Sequence, residues 1–224
     1  MRKFLTLALI VVFLISPYKI GAADNVHEAV AKINNENITL YAKKIDEFYQ
    51  DFKIDFKGAL YSKSFWFNVS NPTYAPQLYY EDVNKDDKKE LIIILTKGYG
   101  TGVLEQEVNI FHIDSNRFDQ VLVDNPMSIV NKNIRSSLTQ SKAEITIGKK
   151  HYVINVKKLN LIPETIFDEI NFGSIIKYEV QNNELIATLH PQFSPGAFVG
   201  SIIITYEYLD KMYQAKSIEF QQDK

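Results

Sequence analysis

The spacing of hydrophobic side chains changes once along the chain, and the change separates two kinds of predicted element. From Asp24 to about Asp51 they recur at helical intervals: Val26, Val30 and Ile33, then Leu40, Ile45, Phe48 and Phe52 beyond the polar break at residues 34–37. This pattern predicts two short helices joined at that break. Their aromatic stripe, Tyr41, Phe48, Tyr49 and Phe52, is the face expected to pack on a sheet. From Lys53 onward the period becomes two. Ile54 and Phe56 alternate with polar residues, and residues 64–69, Ser-Phe-Trp-Phe-Asn-Val, repeat the strand signature.

Strands are then predicted at residues 77–80, 91–95, 105–113 and 118–123. Helix-entry residues follow at Asn125-Pro126, and three hairpins cover residues 143–156, 175–189 and 199–220. Residues 163–170 read as one helical turn or a loop. The expected fold class is therefore α+β and β-rich, with short N-terminal helices packed on antiparallel sheets and a C-terminal β-hairpin meander. Three segments are expected: a leader over residues 1–23, a unit over 24–135 and a second antiparallel β unit over 136–224. One continuous domain over 24–224 also fits.

The leader follows from Met1-Arg2-Lys3, an apolar run from Phe4 to Ile15 and the small residues Gly21, Ala22 and Ala23. This order of basic, apolar and small residues is that of a secretory signal peptide. Residues 16–19, Ser-Pro-Tyr-Lys, stop the apolar run short of the roughly 20 residues that a membrane-crossing helix needs. The expected location is thus the cell exterior or the cell wall, with no membrane span once the leader is removed. Removing it also takes Arg2, Lys3 and Lys19, which shifts the formal charge from −2 to −5. An acidic chain without a basic, aromatic-interleaved stripe is not expected to bind nucleic acid. The absence of cysteine excludes thiol catalysis and a disulfide framework.

The candidate chemistry lies in residues 79–95, where an acidic loop runs into the most strand-like segment of the chain. Asp82, Asn84, Asp86 and Glu90 occupy relative positions 1, 3, 5 and 9, and Lys88 at position 7 offers its backbone carbonyl. These five residues form an oxygen-only set suited to a hard cation such as Ca²⁺. Position 12 is Ile93, so the loop is not an EF-hand. The same residues also fit a polar hairpin turn with solvated carboxylates.

The spacing Asp-x-Asn-x-Asp-x-x-x-Glu-Leu ahead of a strand resembles the calcium loop of VCBS and FG-GAP-type repeats. Residues 71–77, 95–103 and 210–216 extend that likeness to a group of uncharacterised secreted proteins of Gram-positive bacteria. The resemblance implies one calcium-loop unit in a secreted protein and carries no activity. Its sixth position is usually glycine in a left-handed conformation, and here it is Asp87. No segment repeats another, which excludes a propeller.

Other motifs are weak. The glycines at 98, 100 and 102 lead into an alternating segment rather than a helix, so they predict a hairpin turn and a rim beside the acidic loop rather than a phosphate cradle. The four histidines are scattered. Ser174 and Lys177 match a bare Ser-x-x-Lys pattern, but odd spacing on a strand aims them at opposite faces. No catalytic or cofactor-binding residue is assigned. A non-catalytic, calcium-stabilised binding or structural module is the favoured expectation, with a cell-wall or secreted protein as its partner. The alternative is a secreted hydrolase acting on cell-wall or polysaccharide material. Oligomeric state is not encoded in any of these features.

Overall fold

The structure is a computed structural model that describes residues 26–114 and 117–223. The expected leader over residues 1–23 lies outside the described residues. Strands account for 63% and helical turns for 11% of the described residues.

The expected N-terminal helices are strands. β1 (Glu28–Ile33), β2 (Ile38–Ile45), β3 (Phe48–Phe56) and β4 (Ala59–Val69) form a four-stranded antiparallel sheet in sequence order. The polar break at 34–37 is a 3-10 turn that reverses the chain through Asn37 in the left-handed region. The helix-like spacing has a local cause. Register shifts at Ala29/Ala31, Tyr41/Lys43 and Gln50/Phe52 each break the alternation of faces, and three of the residues that complete the helical spacing, Val26, Ile45 and Phe48, lie exposed rather than in the core. Within the uninterrupted stretches the period is two: Ile38, Leu40 and Ala42 on β2 and Phe52, Ile54 and Phe56 on β3 are all buried. The aromatic stripe splits accordingly, with Phe52 in the core and Phe48 on the outer surface.

The second sheet holds β5 (Gln77–Glu81), β6 (Glu90–Gly100), β7 (Val103–Asp114), β8 (Arg117–Val123), β12 (Ile175–Gln181), β13 (Glu184–Leu189), β16 (Ser201–Leu209) and β17 (Met212–Gln221). One edge of β7 pairs with β6. Its other edge pairs with β8 through the C-terminal half and, in parallel, with β12 at Leu104 and Glu105. A short parallel pairing of Met212 and Tyr213 with Leu122 and Val123 joins β17 to β8. The six strands β7, β8, β12, β13, β16 and β17 thereby close into a barrel. The closed barrel and the strand-built N-terminus replace the helix-on-sheet fold that the sequence pattern predicts.

Between β8 and β12 run α1 (Pro126–Asn133), the one α-helix among the described residues, and a three-stranded sheet of β9 (Ile134–Leu138), β10 (Lys142–Ile147) and β11 (Lys150–Asn155). Asn125 caps α1 by accepting hydrogen bonds from the amides of Met127 and Ser128, with Pro126 at the first helical position. The short strands β14 (Gln192–Ser194) and β15 (Ala197–Phe198) form a small hairpin. Residues 163–170 contain one 3-10 turn, Pro163–Thr165.

β6 is the wall between two cores. Ile92 and Ile94 face the barrel side with Val108, Ile110, Ile204 and Tyr213. Leu91, Ile93 and Leu95 face the four-stranded sheet and meet Leu40, Phe52, Ile54 and Phe111. A strand covered on both faces needs an unbroken apolar run, which explains residues 91–95. Lys63 enters this second interface with its ammonium 4.7 Å from the Phe111 ring centre and 5.5 Å from that of Trp66. It donates to Gln120 Oε1 at 2.9 Å, and burial lowers its pKa.

Candidate metal centre

The acidic loop connects β5 to β6 and is organised by its own carboxylates. Asp82 accepts from the amides of Lys85 at 2.7 Å, Asp86 at 3.2 Å and Asp87 at 3.0 Å. Asn84 Oδ1 accepts from Asp86 N at 2.9 Å, and Asp86 Oδ1 accepts from Lys88 N at 2.9 Å. Short acidic and amide side chains close such turns because they reach backbone amides two to five residues on. The chain passes twice through the left-handed region, at Lys85 and at Asp87, both with φ of 66°. The sixth position therefore has the conformation that favours glycine, as its place in the motif implies. Lys85 was not visible as such a position, since nothing in its residue type signals it.

Glu90 occupies a different environment from the other four. It begins β6 on the barrel-facing side, in register with Ile92 and Ile94, and it is 2% exposed. Its Oε2 accepts from Val83 N at 2.9 Å and from Asn84 N at 3.2 Å. Burial pushes its pKa up to about 7. The two amide hydrogen bonds oppose that rise, and the charges of Asp86 and Asp82 add to it. Val83, itself buried in the barrel core, pins the loop above the carboxylate. Sequence spacing placed Glu90 in the motif but gave no sign that it is buried.

Three lysines of the loop reach three different neighbours. Lys85 pairs with Glu184 of β13 at 3.2 Å, Lys88 with Asp114 of β7 at 3.9 Å, and Lys89 with Glu36 of the first turn at 3.1 Å. Among the described residues, the ion pairs formed by this loop leave Glu90 to backbone amides alone. A carboxylate has about four acceptor sites, so amide bonding uses only part of the capacity of Asp82, Asp86 and Glu90. Together with Asn84 Oδ1 and the Lys88 carbonyl, the donor set consists of oxygen throughout and fits a hard cation. Among the described residues no three His, Asp or Glu side chains are gathered as a preformed metal-holding group.

The chain matches no family model, no curated protein and no solved structure.

The remaining sequence motifs are not brought to this loop. The glycine turn closes the β6–β7 hairpin at the far end of β6, eleven residues or roughly 36 Å of extended strand from Glu90. It therefore forms no rim with the acidic loop. Ser174 hydrogen-bonds to Gln192, whereas Lys177 pairs with Glu179 on the surface. Trp66 packs on Phe52 and Phe111, and Tyr74 stacks on Tyr99 at 4.4 Å. The histidines stay apart, with separate partners in Asp51, Tyr213, Thr146 and Gly200. Only His112 approaches the loop, where the charge of Asp86 acts on it while burial lowers its pKa. Among the described residues no helix is long and apolar enough to cross a membrane.

Proposed function

We propose that this chain is an exported, non-catalytic binding or structural module whose acidic loop holds a calcium ion. The observation that carries the reading is Glu90: a carboxylate almost removed from water, beside two further carboxylates, with backbone amides as its partners. Such a group is stable when protonated or when a cation neutralises it. At an extracellular pH near 7 a divalent ion serves this purpose, and the donor set is the kind calcium prefers. Asp82, Asn84, Asp86 and Glu90 would supply side-chain oxygens, and Lys88 its carbonyl. The resemblance of the loop to VCBS and FG-GAP-type units and the leader-like residues 1–23 support the same reading.

Thermal unfolding of the chain lacking residues 1–23, in EDTA and in calcium, tests it. Loops of extracellular modules bind calcium at about 10⁻⁴–10⁻³ M. Mass action at 1 mM-scale calcium then stabilises by roughly 0.4–1.4 kcal/mol. That corresponds to an upward shift of about 1–6 °C, with magnesium doing much less. Identical melting curves in EDTA and calcium would overturn the metal assignment. Release of reducing ends from cell-wall polysaccharide would overturn the non-catalytic one, and an intact Met1 in a membrane fraction would overturn export.

A further inference from the structure

The barrel opens at the end where the acidic loop sits, and the opening is a cleft of about 690 Å³. Its position follows from register. His112 and Asp119 are cross-strand partners on β7 and β8, one step beyond the packed pair Ile110 and Val121. Tyr208 and Tyr213 are cross-strand partners on β16 and β17, one step beyond Tyr206. The apolar filling of the barrel thus ends in a layer of aromatic and polar side chains. The mouths of β-barrels are common ligand sites, and the volume lies within the roughly 300–1,000 Å³ that small ligands occupy.

The floor of the cleft is fixed. The His112 ring packs against Tyr208 with centroids 4.6 Å apart, and its Nε2 lies 3.3 Å from the hydroxyl of Tyr213, a residue with no exposed surface. Around this floor the charges alternate. Asp86 and Asp119 share the rim with Arg117 and Lys211, and Arg117 faces Asp119 at 3.7 Å. An anion or a cation entering the cleft meets like charge on one side. A neutral ligand with many hydroxyls meets acceptors and donors together, and aromatic faces for its C–H surfaces.

We propose that this cleft binds a neutral polyhydroxylated ligand, a short stretch of uncharged polysaccharide. The proposal rests on the binding-module reading above and supplies the ligand class that reading lacks. Because Asp86, Lys88 and Glu90 belong to both the loop and the lining of the cleft, ion and glycan binding are expected to be coupled, each changing the affinity for the other by the same factor.

The test is calorimetric titration of the chain lacking residues 1–23 with maltotriose, cellotriose and chitotriose, in calcium and in EDTA, beside a tripeptide and a sulfated oligosaccharide. At least one neutral trisaccharide is expected to bind. Tyr208→Ala and the exposed rim variant Asp119→Ala are each expected to weaken binding roughly tenfold. Val153→Ser, on the three-stranded sheet, is expected to leave it unchanged. Circular dichroism confirms that each variant is folded, and Asp119→Ala carries the test if Tyr208→Ala is not. Binding of none of the neutral sugars, preference for the tripeptide or the sulfated probe, or equal affinity in wild type and Asp119→Ala would overturn the cleft assignment. Sugar binding with no calcium shift in melting would instead overturn the calcium reading and leave the cleft standing.

Discussion

Glu90→Gln isolates the group on which the metal reading depends. The substitution keeps the size of the side chain and one oxygen to accept from Val83 N and Asn84 N, and it removes the charge. In the folded chain the Glu90 carboxyl titrates near 7, against an ordinary value of 4.5. At about 1.36 kcal/mol per pKa unit, ionising it inside the ion-free protein costs on the order of 3 kcal/mol. Because the folded pKa is raised, the stabilising contribution is whole below about pH 4.5, declines between 4.5 and 7 and is absent above 7. In EDTA at about pH 8 the variant is therefore expected to melt roughly 6–12 °C above wild type. Near pH 4.5 the two should coincide. Adding calcium at pH 8 should narrow the gap, since wild type gains an ion and the variant lacks one of its charged ligands. Melting curves at the two pH values decide the matter. A difference that is the same at both, or none at pH 8, would refute the argument that burial and neighbouring charge govern this carboxylate.

Asp87→Gly should raise stability in EDTA by up to about 1–2 kcal/mol, because φ is 66° there, and should preserve the calcium shift in melting. Asp82→Ala should lower stability by about 1–3 kcal/mol through the loss of three exposed hydrogen bonds to its carboxylate and abolish that shift, as read by urea unfolding with and without calcium. Gly200→Ala should cost more than about 2 kcal/mol in the same assay, since φ is 78° and a Cβ there would collide with the Gln221 carbonyl. Phe111→Ala should cost about 3–5 kcal/mol, because the ring is fully buried against Trp66 and Phe118.

The hairpins β6–β7, β10–β11, β12–β13 and β16–β17 were legible because their alternation is regular and their turns carry glycine, asparagine or aspartate at the positions of positive φ, such as Gly102, Gly148, Asn182 and Asp210; β9 and the short pair β14–β15 were not. β1 to β3 were not. Three register shifts in about thirty residues erase the alternation, and the turns at Asn37 and Asp46 lack glycine, so the helical period fitted better than the true one. Barrel closure was hidden for another reason. It depends on two parallel pairings of two residues each, between strands about seventy and ninety positions apart, and no local pattern encodes them. In the loop, spacing named five candidate ligands and the turn they form. It missed Tyr213, which barrel closure brings near Glu90, and His112, which the β6–β7 pairing sets at the same end of the sheet, within reach of the charge of Asp86.

The placement of Glu90 also bears on how β6 finds its register. A strand with one apolar face is held by that face, because a slip of one residue would turn it to water. β6 has no such protection over residues 91–95: both faces are buried, and a one-residue slip exchanges Leu91, Ile93 and Leu95 for Ile92 and Ile94 with little change in hydrophobicity. Polar side chains at the two ends break the degeneracy. Glu90 is bonded to Val83 N and Asn84 N, and Thr96 N donates to Oδ1 of Asn68 on β4 at 2.6 Å, across to the four-stranded sheet. A slip would orphan these buried groups, at roughly 1–3 kcal/mol for each one left unsatisfied. The ninth position of the acidic loop is thus the residue that ends the apolar run, faces the barrel and fixes the strand. A cation held there would tighten a clamp that the register of the central strand already requires.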